Sequence, residues 1–222
     1  MENVWHENAR NVYHARYMIQ RHFNNETYQL QLDSHHRFAA NWDATLIRML
    51  HSCDAGEMSV ITAYAPGFTM DDPADGYSAF SLHTSAVVAM RHYQIRDEPG
   101  GDRMPVHGVR QLDRNSDKMV RPFESSAFSA HTAFSHGHYI LNAGYSGEVD
   151  NTFSWEEPLQ TYVSWKAGYT LYAMHEQVVF HLWDRSFRPR FGDDAGSFSK
   201  QKQKQLNSNA KAGFFESKTQ GR

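Results

Sequence analysis

The sequence has a single cysteine, Cys53, so no intramolecular disulfide framework supports the fold, and a reducing, cytoplasmic setting is expected. It also lacks an excess of positive charge. Lys and Arg number 22 against 25 Asp and Glu, a formal charge of -3, which excludes the basic field needed to wrap nucleic acid. No apolar run approaches the roughly eighteen residues of a membrane span. Glu2, His6, Glu7 and Arg10 interrupt any apolar stretch that would read as a secretory signal. No internal repeat is visible. What the chain does carry is core material: 40% hydrophobic residues, with 14 Phe, 11 Tyr and 5 Trp, exclude full disorder. Its 222 residues suit one large α/β domain over residues 1–192, followed by a polar tail over 193–222.

Periodicity organises the first third. Val12, Ala15, Ile19 and Phe23 recur at helical spacing, and Asn24-Asn25 breaks the pattern. Tyr28, Leu30 and Leu32 alternate with Gln29 and Gln31, a strand ending near Asp33. Trp42, Leu46, Met49 and Leu50 mark a second helix, for which Asn41 is the expected N-cap. Residues 59–64 form a second strand, halted by Pro66-Gly67. Strand, helix and strand in succession read as a parallel βαβ unit, with Asp33 at the carboxyl end of a sheet strand, where open α/β folds place their ligands. Further on, 79–82 and 86–89 are strand-like, and 96–121, rich in Asp, Gly, Arg and Asn, reads as a long exposed loop. Ser154 and Glu157 have capping-box spacing for a helix that Gly168 ends. Short strands over 170–174 and 177–182 complete the domain.

Several side chains in this frame can carry chemistry. Asp33 and His35 are two apart in an extended segment, so both point to one side and can converge on a cation. Mixed oxygen and nitrogen donors suit manganese, zinc or iron better than magnesium or calcium; the plain alternative is an ordinary strand-to-turn sequence. His181 ends the apolar run Val178-Val179-Phe180 and can reach the same point from another strand, or simply be a hydrogen-bonded strand end. Glu156 and Glu157 open a helix, where carboxylates are favoured by the positive end whether or not they serve a substrate. Glu157 has the spacing of a cap and Glu156 is the candidate for transfer. Arg185, Arg188 and Arg190 can grip a diphosphate or remain a solvated basic patch. His131, His136 and His138 form a His-rich stretch that reads equally as a solvated loop or a ligand set.

The order of these pieces resembles a known family. Ala15-Arg16-Tyr17, the run from Tyr28 to Phe38 containing Asp33-Ser34-His35-His36, and Asn41-Trp42-Asp43 are similar to the Skp1-hydroxyproline N-acetylglucosaminyltransferases. Residues 62–68 match that family's next strand and turn. Phe153-Ser154-Trp155-Glu156-Glu157 resembles its aromatic-x-Gly-Glu-Glu motif. Gly168-Tyr169 and the segment 181–189 match its closing motif. The Asp-x-His pair is shared with the polypeptide N-acetylgalactosaminyltransferases. The resemblance implies a GT-A fold with a Rossmann-like sheet, a UDP-GlcNAc donor, retention of anomeric configuration, and manganese held by Asp33, His35 and His181. It also implies donor contacts from Arg16, Ser34, Trp183 and Arg185, transfer roles for Glu156 or Glu157, and a protein or glycan acceptor.

The chain departs from the family pattern in three places. It begins after most of the family's first strand-helix-strand segment, so an N-terminally truncated sheet is expected, with the strand at 28–33 lacking one neighbour. Trp155 replaces the glycine before Glu-Glu, and His131 replaces a glycine near the donor sugar. An inactive, sugar-nucleotide-binding relative is therefore one alternative. A non-haem iron oxygenase on a double-stranded β-barrel and a glycan-binding module are the alternatives from other classes.

Overall fold

The computed structural model describes residues 12–70, 80–82, 86–97, 103–113, 120–149, 155–184 and 186. Residues 1–10, Ser154, Arg185, Arg188, Arg190 and the tail over 193–222 lie outside them. In chain order the elements are α1 (Val12–Gln20), β1 (Tyr28–Leu32), β2 (His36–Phe38), α2 (Trp42–His51), β3 (Ser59–Thr62), β4 (Phe68–Met70), β5 (Phe80–Leu82), β6 (Ala86–Asp97) and β7 (Arg103–Asp113). They continue with β8 (Phe123–Glu124), β9 (Thr132–His136), α3 (Tyr139–Ala143), α4 (Glu156–Lys166), β10 (Thr170–Ala173) and β11 (Val179–His181).

The central sheet has the order β1-β9-β3-β10-β8. β1 and β3 are each antiparallel to β9, and β10 is parallel to β3. The expected βαβ unit is thus parallel in direction but not adjacent, because β9 sits between its two strands. β1 has one hydrogen-bonded neighbour among the described residues, β9. This open mixed sheet with helices is not a double-stranded β-barrel, which removes the iron-oxygenase alternative.

The helix at 42–51 forms as its spacing requires: Leu46, Met49 and Leu50 are fully buried against Ile61, Phe134, Tyr172 and Val179. Asn41 precedes it but makes no side-chain cap. Its backbone is left-handed at φ 57°, a conformation asparagine tolerates. α1 buries a face other than its apolar one, namely Tyr13 and Arg16, while Ile19 is 70% exposed. The partners decide this: Tyr13 meets the Tyr145 ring at 4.6 Å, and Arg16 meets two carboxylates. α4 ends where Gly168 adopts φ +85°, a conformation side chains resist. Within 96–121, read as an exposed loop, the described residues are instead mostly strand, 96–97 ending β6 and 103–113 forming β7. β7 pairs antiparallel with β6 from Asp97↔Arg103 to Ala86↔Asp113, with an irregularity between Met90 and His92. Pro105 and Gly108 disguise it, since both weaken a strand signal, but a long ladder to β6 overrides local preference.

Candidate active site

The register brings the chemistry together. β1, β3 and β10 run one way and β9 the other, so one sheet edge carries the carboxyl ends of three strands and the amino end of β9. Leu32 pairs with Thr132 and Thr62 with Ala133. Continued past the ladder, this register places Asp33 on one side of His131 and Tyr64, two residues beyond Thr62, on the other. A second ribbon closes over this edge: β2 pairs antiparallel with β11, placing His181 opposite His36. The His181 amide donates to the Pro66 carbonyl at 2.9 Å and the Leu182 amide to that of His35 at 3.0 Å, which fixes the histidine-bearing strand over Asp33.

Asp33, His35 and His181 each place a ligand atom within 4.8 Å of the others. Oδ2 of Asp33 lies 3.8 Å from Nε2 of His35 and 3.7 Å from Nε2 of His181. These gaps are too long for hydrogen bonds and suit donors facing a shared cation. One carboxylate oxygen and two imidazole nitrogens are the donor chemistry of manganese, zinc or iron, so the residues present fit a divalent metal. Ser34, between the two, is exposed.

Arg16 ties this group to the other acidic pair. Its guanidinium, 8% exposed, donates to Asp33 Oδ1 at 2.7 Å and to Glu156 Oε1. Burial opposes the charge on Arg16, but Tyr145, Glu156 and Asp33 carry its pKa above the ordinary value. Burial likewise raises Asp33, yet His181, Arg16, His131 and His35 together hold its carboxyl well below the usual range. It is therefore ionised throughout the physiological range. Burial pushes Glu156 upward against the pull of Arg16.

Glu156 and Glu157 differ in surroundings. Glu156 is 3% exposed and committed to Arg16. Glu157 is partly exposed and accepts from the Ala130 amide at 2.8 Å and the Tyr64 hydroxyl at 3.4 Å. Burial pushes its carboxyl up to about 8, with Ala130 and Tyr64 pulling back. Its carboxylate thus reaches the segment leading into β9. Tyr64 stacks at 4° against Trp183, centroids 5.6 Å apart, and the Trp183 indole donates to the Ala65 carbonyl at 3.1 Å. Trp183 is 46% exposed and its ring lies 4.1 Å from that of His181, an open aromatic face beside the Asp-His group. His131 and His36 stand behind this group, and neither was singled out for it by spacing alone. On the far side of Arg16, between α1 and β1, a cleft of about 400 Å³ is lined by Gln20, Phe23, Gln29, Leu30 and Gln31 among others.

The mixed sheet with helices packed against it, which carries this group at one end, has the GT-A glycosyltransferase fold. The family model for glycosyltransferase (GlcNAc) matches residues 1–220, and the chain belongs to that family. The structure is similar to that of GalNAc-T7 with UDP, GalNAc and Mn2+, at 14% sequence identity and a TM-score of 0.52 over 78% of this chain. This chain spans 31% of that protein's length. No curated protein sequence matches. The match extends to the GlcNAc family as a whole and does not single out the Skp1-hydroxyproline group. Among the described residues no helix is long and apolar enough to cross a membrane.

Proposed function

We propose that the chain transfers N-acetylglucosamine from UDP-GlcNAc to an acceptor hydroxyl with retention of configuration, protein hydroxyproline being the acceptor class. The observation that carries this reading is the position of Asp33 Oδ2, 3.8 and 3.7 Å from two imidazole nitrogens. GalNAc-T7 is described with UDP, GalNAc and Mn2+, which supports a UDP-sugar donor and manganese. When bound, that ion supplies a Lewis acid against the donor diphosphate.

The chain's own residues do the rest. Arg16 holds Asp33 ionised and oriented, and Glu156 acts through Arg16 as a positioning residue. Trp183, stiffened by Tyr64, offers its exposed face to the sugar. Ser34 lines the donor side, and Arg185 adds charge to the diphosphate. Glu157 borders the open side and orients the sugar or the acceptor hydroxyl. The cleft beyond Arg16 lies within the size range of ligand pockets and receives the uridine. The test is a UDP-sugar panel with manganese, magnesium or chelator. UDP-GlcNAc turnover with manganese is expected to exceed that of UDP-GalNAc and to vanish with chelator. Asp33→Ala should abolish manganese-dependent UDP binding while circular dichroism stays unchanged. Unaltered UDP affinity in that variant would overturn the reading.

A further inference from the structure

A second donor set lies directly behind the first. His36, His131 and His181 each bring a ring nitrogen within 4.8 Å of the others, and all three are buried. The hydrogen bonds around them set the tautomers. His36 Nδ1 lies 2.8 Å from the Asp33 carbonyl oxygen. A carbonyl only accepts, so Nδ1 carries the proton and Nε2 of the neutral ring keeps its lone pair. That nitrogen is 3.3 Å from the Thr132 hydroxyl, whose one proton therefore points toward it. The same hydroxyl oxygen lies 3.1 Å from His131 Nδ1 and accepts from it. The His131 proton is thus on Nδ1, and Nε2 is left as a lone pair.

That lone pair is buried, and Nε2 makes no hydrogen bond among the described residues; the same is true of His181 Nδ1. His131 is only 7% exposed. Its ring is walled by Tyr64 at 4.7 Å, Trp183 at 5.4 Å and His181 at 4.9 Å. A buried acceptor with no donor is costly unless something electrophilic sits against it. Three imidazole nitrogens with no oxygen donor favour zinc over manganese.

We propose that His36, His131 and His181 form a nitrogen-only site for zinc, which competes with the Asp33–His35–His181 site for the shared histidine. A neutral imidazole has one lone pair to give, so His181 serves one cation at a time. The weak Thr132 contact to His36 yields on binding. The Thr132 oxygen continues to accept from His131 Nδ1 and fixes that ring from outside the metal shell. This inference does not depend on which sugar or acceptor the chain uses.

The test is metal binding by the full chain, with zinc followed by competition with a chromophoric chelator and manganese by the resonance of the free ion. Wild type should bind one zinc per chain, and zinc should release bound manganese. His131→Gln keeps side-chain bulk and a donor for Thr132. It should weaken zinc by about tenfold or more and manganese far less. His35→Ala should do the reverse. Zinc-edge anomalous diffraction on wild type, which needs no variant, should place the ion among the three rings. Two ions per chain, zinc affinity insensitive to His131→Gln, or zinc and manganese lost together in His35→Ala would each overturn the proposal.

Discussion

The two sides of the sheet's carboxyl edge are built on opposite rules. Behind it, under α2, Leu46, Met49, Leu50, Ile61 and Val179 are buried almost without polar atoms, so stability there follows from area removed from water. At the edge itself the buried groups are Arg16, Glu156, His36, His131 and His181, each desolvated and held by a partner or a lone pair. The first region tolerates no cavities but asks nothing of its neighbours' charges. The second tolerates no missing partner, and removing one member exposes the cost of burying the next. Within the second region Arg16 connects Asp33 to Glu156, from an element whose apolar spacing points elsewhere.

Breaking that connection should have the largest effect. Arg16→Ala leaves the Glu156 carboxyl buried beside Asp33 with no counter-charge. Loss of one partner of such a pair costs about 3–5 kcal/mol. Urea denaturation should show that loss, and adding Glu156→Gln should recover part of it by removing the stranded carboxyl. Manganese affinity should fall in both variants, because Asp33 loses its 2.7 Å anchor. In the apolar region Leu46→Ala should cost about 2–5 kcal/mol through lost burial and a cavity. Metal affinity measured per folded molecule should not change. A metal effect as large as that of Arg16→Ala would dissolve the distinction between the two regions.

What could be read from the chain divides along the same line. Helix α2 and strand β1 were legible from their apolar period, and β3, β10 and β11 as short apolar runs, since these strands are buried almost throughout. Asp33, His35 and His181 were legible as strand-end residues, and the fold brings them together. The Arg16 bridge was not, since its partners are 17 and 140 residues away and nothing in the pattern around Arg16 separates it from a solvated arginine. Strand β7 was hidden by its own Gly, Pro and charges, which speak for a loop until its partner strand β6 is present. His131 stood out as part of a His-rich stretch and as a departure at a glycine position, neither of which ties it to Asp33. Its Thr132 contact and its place between Asp33 and Tyr64 are products of sheet register.

A smaller effect sharpens the comparison through pH. Glu157 has its carboxyl raised from 4.5 to about 8, so between those values the folded chain holds a proton that the unfolded chain has released. Stability then falls as pH rises through that window and levels off above about 8. Asp33 has the opposite sign: its depressed pKa contributes stability that is present above the ordinary carboxylate range and lost only as pH falls below it. Glu157→Gln should therefore flatten the decline between pH 5 and 8 on melting curves and leave the acid limb in place. An unchanged slope would place the Glu157 carboxylate in water.

The smallest stability effect should come from the residue most exposed to substrate. Trp183 is 46% exposed and contributes to the fold an indole hydrogen bond, a stacked contact with Tyr64 and ring contacts with His181 and His131. Stacked aromatic pairs contribute about 0.5–1.5 kcal/mol beyond burial, and half of this ring already faces water. Trp183→Phe keeps a flat face over Tyr64 but loses the bond to Ala65, whereas Trp183→Ala loses both. Both should unfold within about 1 kcal/mol of wild type. If the ring is a platform for the donor sugar, KM for UDP-GlcNAc should rise in the order wild type, Phe, Ala, with affinity for UDP alone nearly constant. If instead Trp183 only shields the histidines, UDP and manganese affinity should fall together in Trp183→Ala and be restored by Phe. The two patterns separate a sugar contact from a lid over the metal ligands, and each is read from the ratio of UDP-GlcNAc to UDP affinity in the same protein sample.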